Sequence, residues 1–65
     1  MWVIERYHMC ELQYWAGANI RRGSEWRPKF DGAVKFADYE SAMRVLTDLC
    51  DGNGRVVEHS LVKAA

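Results

Sequence analysis

Sixty-five residues carry nine basic and nine acidic side chains, a formal net charge of zero with both histidines neutral. A chain this short makes one domain, too small for a cofactor fold with a deep cleft, and its balanced charge argues against a generic nucleic-acid coat or a membrane-surface peptide. Two cysteines do not make a disulfide scaffold. No apolar run approaches the roughly 20 residues of a membrane span, and Met1 leads into a strand-like segment without a basic start or a cleavage site. The expectation is a cytoplasmic protein with free Cys10 and Cys50 thiols.

The first segment, WVIERYH, alternates with apolar bulk on both sides, Trp2 and Ile4 one way and Val3 and Tyr7 the other, as an inner strand does. After a short connection at Met9, Cys10 and Glu11, residues 12–16 read as a second strand, paired with the first as an antiparallel hairpin. Residues 17–31 have no dominant period, although 19–22 could prolong the second strand, and so read as a long loop. Residues 33–36 alternate and read as a third strand. Asp38 then caps a helix whose apolar residues Ala42, Val45, Leu46 and Leu49 recur at three- and four-residue intervals. Gly52 ends the helix, Asn53-Gly54 offers a tight turn, and 55–62 returns as a β-branched, alternating strand.

These elements predict an α+β fold in the order β-β-β-α-β, a mainly antiparallel sheet of three or four strands with one helix across one face, as a single domain over 1–65. Three Trp, three Tyr and two Phe supply large area, about 150–250 Å² for each ring buried. A single helix covers one sheet face only, so part of the aromatic set is expected to face solvent or a partner, and the chain to be a monomer or a homodimer.

Catalytic signals are weak. There is no Gly-rich phosphate loop and no nucleophile elbow, and a Cys-His pair would have to be assembled by folding from His8, His59, Cys10 and Cys50. The same four residues could in principle close a zinc site, but Cys50 and His59 are nine apart and form no closely spaced ligand pair. Neither a metal nor another cofactor is expected, nor is enzymatic activity.

Two charged stretches remain. Arg21, Arg22, Arg27 and Lys29 surround Trp26, combining phosphate-directed charge with an aromatic face, the ingredients of single-strand nucleic-acid binding. A core-plugging Trp26 among solvated neighbours is the plainer account. On the helix, Glu40 complements the N-terminal dipole, whereas Asp48 and Asp51 lie near the C-terminal end, where acid costs about 0.3–1 kcal/mol each. Glu40, Arg44 and Asp48 are i,i+4 neighbours, so both carboxylates are expected to neutralise Arg44 in part. With Glu58 nearby, this face could present negative charge to a basic partner, against the plainer account of a solvated helix exterior.

The run WVIER near the start, YWAG, a Trp in the middle stretch, AVKFADYESAMRVL and the closing GRVVEH together resemble small single-domain proteins of bacteriophages and prophages. These are packing motifs and carry over no catalytic residue. The resemblance implies an accessory protein of the host-takeover or anti-CRISPR type, which binds a host protein complex and disables or redirects it. The expected function is therefore non-enzymatic protein binding that inhibits a nucleic-acid-handling complex, such as a CRISPR effector, through Glu40, Asp48, Asp51 and Glu58. The alternative is a small nucleic-acid-binding domain using the basic-aromatic stretch 21–29.

Overall fold

The computed structural model describes residues 1–59; the part of the last predicted strand that includes Leu61 and Val62 lies outside the described residues. In chain order the elements are β1 (Trp2–His8), β2 (Glu11–Asn19), β3 (Gly23–Arg27), a 3₁₀ turn (Phe30–Gly32), α1 (Tyr39–Leu49) and β4 (Arg55–Glu58). The strands form one antiparallel sheet ordered β3-β2-β1-β4, so the fold is α+β with the expected element order.

The third strand is not the expected one. It is Gly23–Arg27, inside the stretch that reads as a loop: its polar residues mask a strand half-buried from Ser24 to Trp26, in which Trp26 pairs with Trp15 and Arg27 with Tyr14. Residues 33–36 instead fill a fork. β1 and β2 pair only from Glu5 opposite Tyr14 to His8 opposite Glu11, and beyond this the β2–β3 register shifts between Trp15 and Ala18. Gly17, at φ 119°, supplies backbone that other residues rarely adopt there. Into the opening comes Val34, whose N–H donates to the Trp15 carbonyl at 3.0 Å. Phe36 follows, exchanging bonds of 2.8 and 2.7 Å with Trp2.

Strand pairing sorts the side chains by face. Trp2, Ile4, Trp15, Trp26 and Val56 lie on the side covered by α1, where Ile4, Trp15, Ala42, Leu46 and Cys50 form the buried core. Trp15 stacks on Phe36 with centroids 5.9 Å apart, and the Trp2 ring meets Tyr39 edge-on at 5.1 Å. The expected helical stripe holds for Ala42 and Leu46, with Val45 half-buried, but Leu49 is 49% exposed and Cys50 is buried in its place. The buried ridge is thus 42, 46 and 50, an i,i+4 row that drifts around the helix as it crosses the sheet.

The far face is also occupied, contrary to the expectation that nothing remains to cover it. The 3₁₀ turn brings Phe30 against Tyr14, centroids 5.6 Å apart, and against His59 at 4.7 Å. Lys35 Nζ lies 4.8 Å above the Phe30 ring and donates to the Phe30 and Asp31 carbonyls at 3.1 and 3.2 Å. Tyr7, expected to add apolar bulk to this face, is 67% exposed.

Asp38 caps α1 as its position implies, accepting from the Ser41 N–H at 2.7 Å. That bond, chiefly through the Ser41 backbone N–H, holds the Asp38 carboxyl below the usual carboxylate range. A lowered folded-state value means the cap stabilises the fold at pH above the ordinary carboxylate range, and this contribution is lost as pH falls through the folded value. Urea midpoints measured across the acid range should therefore fall less steeply for Asp38→Ala than for the wild type, from a lower starting stability at neutral pH.

Gly54 is the tightest approach in the return to β4: at φ 143°, an added Cβ would lie 2.9 Å from the Glu5 carbonyl oxygen, whereas at Gly17 it would meet nothing within 4 Å. Gly54→Ala should cost about 1–3 kcal/mol in chemical denaturation from strain alone, and more than Gly17→Ala. Equal losses at the two positions would show that the contact with Glu5 is unimportant.

Candidate functional site

The acidic residues fall into two groups. Glu40, on the first turn of α1, and Glu58, at the end of β4 in register with Trp2, lie toward the end of the molecule where Trp2 meets Tyr39. Asp48 and Asp51 lie at the opposite end of the helix, and all four are exposed. No ion pair within 4.0 Å joins Arg44 to Glu40 or Asp48 among the described residues, and none engages Asp48 or Asp51. Exposed Leu49 sits between those two aspartates in the chain. Asp51 itself has φ 53°, a left-handed conformation that carries the chain out of the helix.

The basic set is dispersed by β3. Arg21 and Arg22 occupy the β2–β3 connection beside Ile20, whose side chain is fully exposed, and the Arg21 N–H donates to Asn19 Oδ1 at 2.8 Å. Arg27 and Lys29 follow at the other end of the strand, with Arg27 no closer than 4.0 Å to Glu25. Trp26 is half-buried against the core, and the Arg6 guanidinium covers its ring at 4.2 Å while Arg6 Nε donates to Gln13 at 3.0 Å. A base could stack on Trp26 only by displacing Arg6. The Ser24 hydroxyl donates to the Leu49 carbonyl at 2.7 Å, tying the turn end of the β2–β3 hairpin to the C-terminal end of α1.

His8, Cys10, Cys50 and His59 are not brought together. Cys50 is buried on the helix side, 4.0 Å from the Ser24 hydroxyl, and desolvation pushes its thiol up, away from the thiolate that nucleophilic chemistry needs. Cys10 is exposed in the β1–β2 turn, and His59 packs on the far face of the sheet. Among the described residues no group of three His, Cys, Asp or Glu could hold a metal ion, and no helix is long and apolar enough to cross a membrane.

One charged constellation has no counterpart in the sequence reading. The Glu5 side chain is only 6% exposed in the middle of β1, and its Oε1 accepts from both Arg55 Nε, at 2.9 Å, and Arg55 Nη2, at 2.7 Å. His59 Nε2 lies 3.8 Å from Glu5 Oε2, too far for a hydrogen bond, and is buried without a hydrogen-bond partner among the described residues. The available signal was an acid on the same side of an inner strand as Val3. An inner carboxylate demands a paired cation, and Arg55, opposite Glu5 in β4, supplies it. Comparison with protein-family models, with curated proteins and with solved structures found no match to this chain.

Removing one partner of such a pair leaves the other charge uncompensated, whereas replacing both with apolar groups is often close to neutral. Arg55→Met should lower the denaturation free energy by about 1–3 kcal/mol, and adding Glu5→Met should restore part of it. A double variant weaker than the single would identify the carboxylate itself, through His59 or the backbone, as the stabilising element.

Proposed function

We propose that this protein is a non-enzymatic protein-binding module that docks through the outer, C-terminal end of α1 onto a basic surface of a nucleic-acid-handling complex. The observation that carries this reading is an apolar side chain placed among acids. Leu49 is exposed between Asp48 and Asp51, and neither aspartate has an ion-pair partner among the described residues. Asp48 sits where the helix dipole disfavours it, so fold stability does not account for that choice, whereas Asp51 also suits its left-handed backbone. An apolar anchor with a charged rim is the arrangement in which an interface concentrates its energy at the centre and its selectivity at the edge. Glu40 and Glu58 extend the negative field toward the other end of the helix without joining that patch.

Resemblance to accessory proteins of bacteriophages and prophages supports a host complex as the partner, with a CRISPR effector as the sharpest case, and steric blocking of its nucleic-acid channel as the mode. A nucleic-acid-binding role for 21–29 has less in its favour, since Arg6 covers the Trp26 ring and the basic residues are divided between the two ends of β3.

Affinity capture from a nuclease-treated bacterial lysate tests the proposal. Asp48→Lys with Asp51→Lys should abolish recovery of a basic complex while thermal stability stays close to wild type, because relief of the dipole mismatch offsets the loss of an aspartate suited to the left-handed position 51. Leu49→Ala should weaken recovery by about ten-fold or more, the scale of an interface anchor. Undiminished recovery with the lysine variant, or recovery that disappears with nuclease alone, would overturn it.

A further inference from the structure

β1 outruns β4, and the residues it leaves unmatched have an unusual setting. Backbone hydrogen bonding alternates sides along a strand. The Met1 carbonyl accepts from the His59 N–H at 2.7 Å on the β4 side, whereas Trp2 bonds Phe36 on the opposite side. The same alternation aims the backbone groups of Val3, Glu5 and Tyr7 at β4. Val3 meets Val57 and Glu5 meets Arg55, the first residue of β4. Tyr7 meets no strand residue, because the chain has already turned through Asn53 and Gly54. Its N–H and C=O open onto a groove of about 410 Å³ lined by Arg6, Tyr7, His8, Asn53 and Arg55 among others, within the size range of ligand sites.

The groove carries a preorganised cation. Arg55 spends Nε and one proton of Nη2 on Glu5, which leaves the Nη1–Nη2 edge of its guanidinium without a partner among the described residues, and the side chain is 63% exposed. That edge is the fork that receives a carboxylate in bidentate fashion. His8 adds an ionisable nitrogen to the lining, whose one acid, Glu5, is committed to Arg55, while the Arg6 guanidinium is engaged over Trp26 and with Gln13. Exposed Tyr7 supplies apolar contact, and exposed Met9 follows in the adjoining turn. Met9 is held in a turn where it and Cys10 have φ of 51° and 66°, positions that a two-residue hairpin normally gives to Asn or Gly.

We propose that this groove binds an extended acidic peptide segment, which adds to β1 at Tyr7 in line with β4 and places a carboxylate on the free edge of Arg55. A small anion would satisfy the cation and the Tyr7 N–H but leave the Tyr7 carbonyl without a donor. A strand offers both an N–H and a C=O at the required spacing, as in other cases of strand addition to an open sheet edge. A second copy of this chain is the poorer fit, since its other edge strand, Gly23–Arg27, presents GSEWR with no net negative charge.

The test uses the full chain and a capped peptide of about six residues with alternating Glu and Val, long enough to span the groove at about 3.3 Å per residue. Binding should slow hydrogen exchange of the Tyr7 amide by about ten-fold or more and shift the Arg55 Nε resonance. Replacing Glu with Lys in the peptide, or N-methylating the amides that face β1, should each weaken binding by about ten-fold or more. The surface variant His8→Glu should weaken it without depending on the Glu5–Arg55 pair for folding. Equal binding of the N-methylated peptide, an unprotected Tyr7 amide, or full reproduction of the Arg55 shift by acetate with no further effect of the peptide would each overturn strand addition. The Asp48→Lys, Asp51→Lys variant should bind the peptide at least as well as wild type, which separates this outcome from that of the helix surface.

Discussion

The reciprocal backbone bonds between Trp2 and Phe36 are the constraint from which most of the molecule follows. They pin residues 33–36 into the fork between β1 and β2, so the chain arrives at Asp38 two residues later already positioned beside the start of β1. The cap at Asp38 launches α1 there, with Tyr39 meeting the Trp2 ring. The same bonds fix which side each β1 backbone group faces. Ile4 is thereby directed into the helix-side core and Val3 and Glu5 to the far face, and the Tyr7 peptide groups are left to open beyond the end of β4.

Glu5 shows how a small domain tolerates a charge in its central strand. Burial of a lone carboxylate in so little protein would be costly, yet Arg55 is its strand neighbour and bonds one oxygen twice. Arg55 remains largely in water, so only one of the two ions bears most of the desolvation, which moderates the loss that a fully buried pair would suffer. The pair therefore acts less as a source of stability than as a clamp: it holds the first residue of β4 in register and leaves one edge of the guanidinium turned outward. The neighbouring Gly54 is needed for the same reason, since the return strand approaches β1 too closely for a side chain.

The fold class and the capped helix were legible because each rests on local chemistry: an Asp cap, a three-to-four residue apolar period, and glycines at the end. Two features were not. Gly23–Arg27 carries Ser, Glu and Arg among its five residues, and its only strong apolar signal, Trp26, is equally consistent with a loop plug; what makes it a strand is pairing to β2, a non-local event. Residues 33–36 do alternate as a strand should, but the bulge at Gly17 turns β2 away and leaves them a single bridge. For the candidate sites, residue types and charges could be read directly, while the gathering of Glu5, Arg55 and His59 depended on a register between chain ends some fifty residues apart.

The exposure of Leu49 has a geometric cause that links fold to surface. On an α-helix both Leu49 and Cys50 lie within reach of the face defined by Ala42 and Leu46, so periodicity alone does not choose between them. The choice is made by what lies beneath. Ser24 on β3 binds the Leu49 carbonyl and faces the Cys50 sulfur, so the sheet under the last turn is on the side of Cys50. Cys50 goes inward, its thiol desolvated, and Leu49 is displaced into the gap between Asp48 and Asp51. The apolar anchor is thus a by-product of how β3 meets the helix, and any change that straightened the β2 bulge and moved Ser24 would alter the surface patch together with the core.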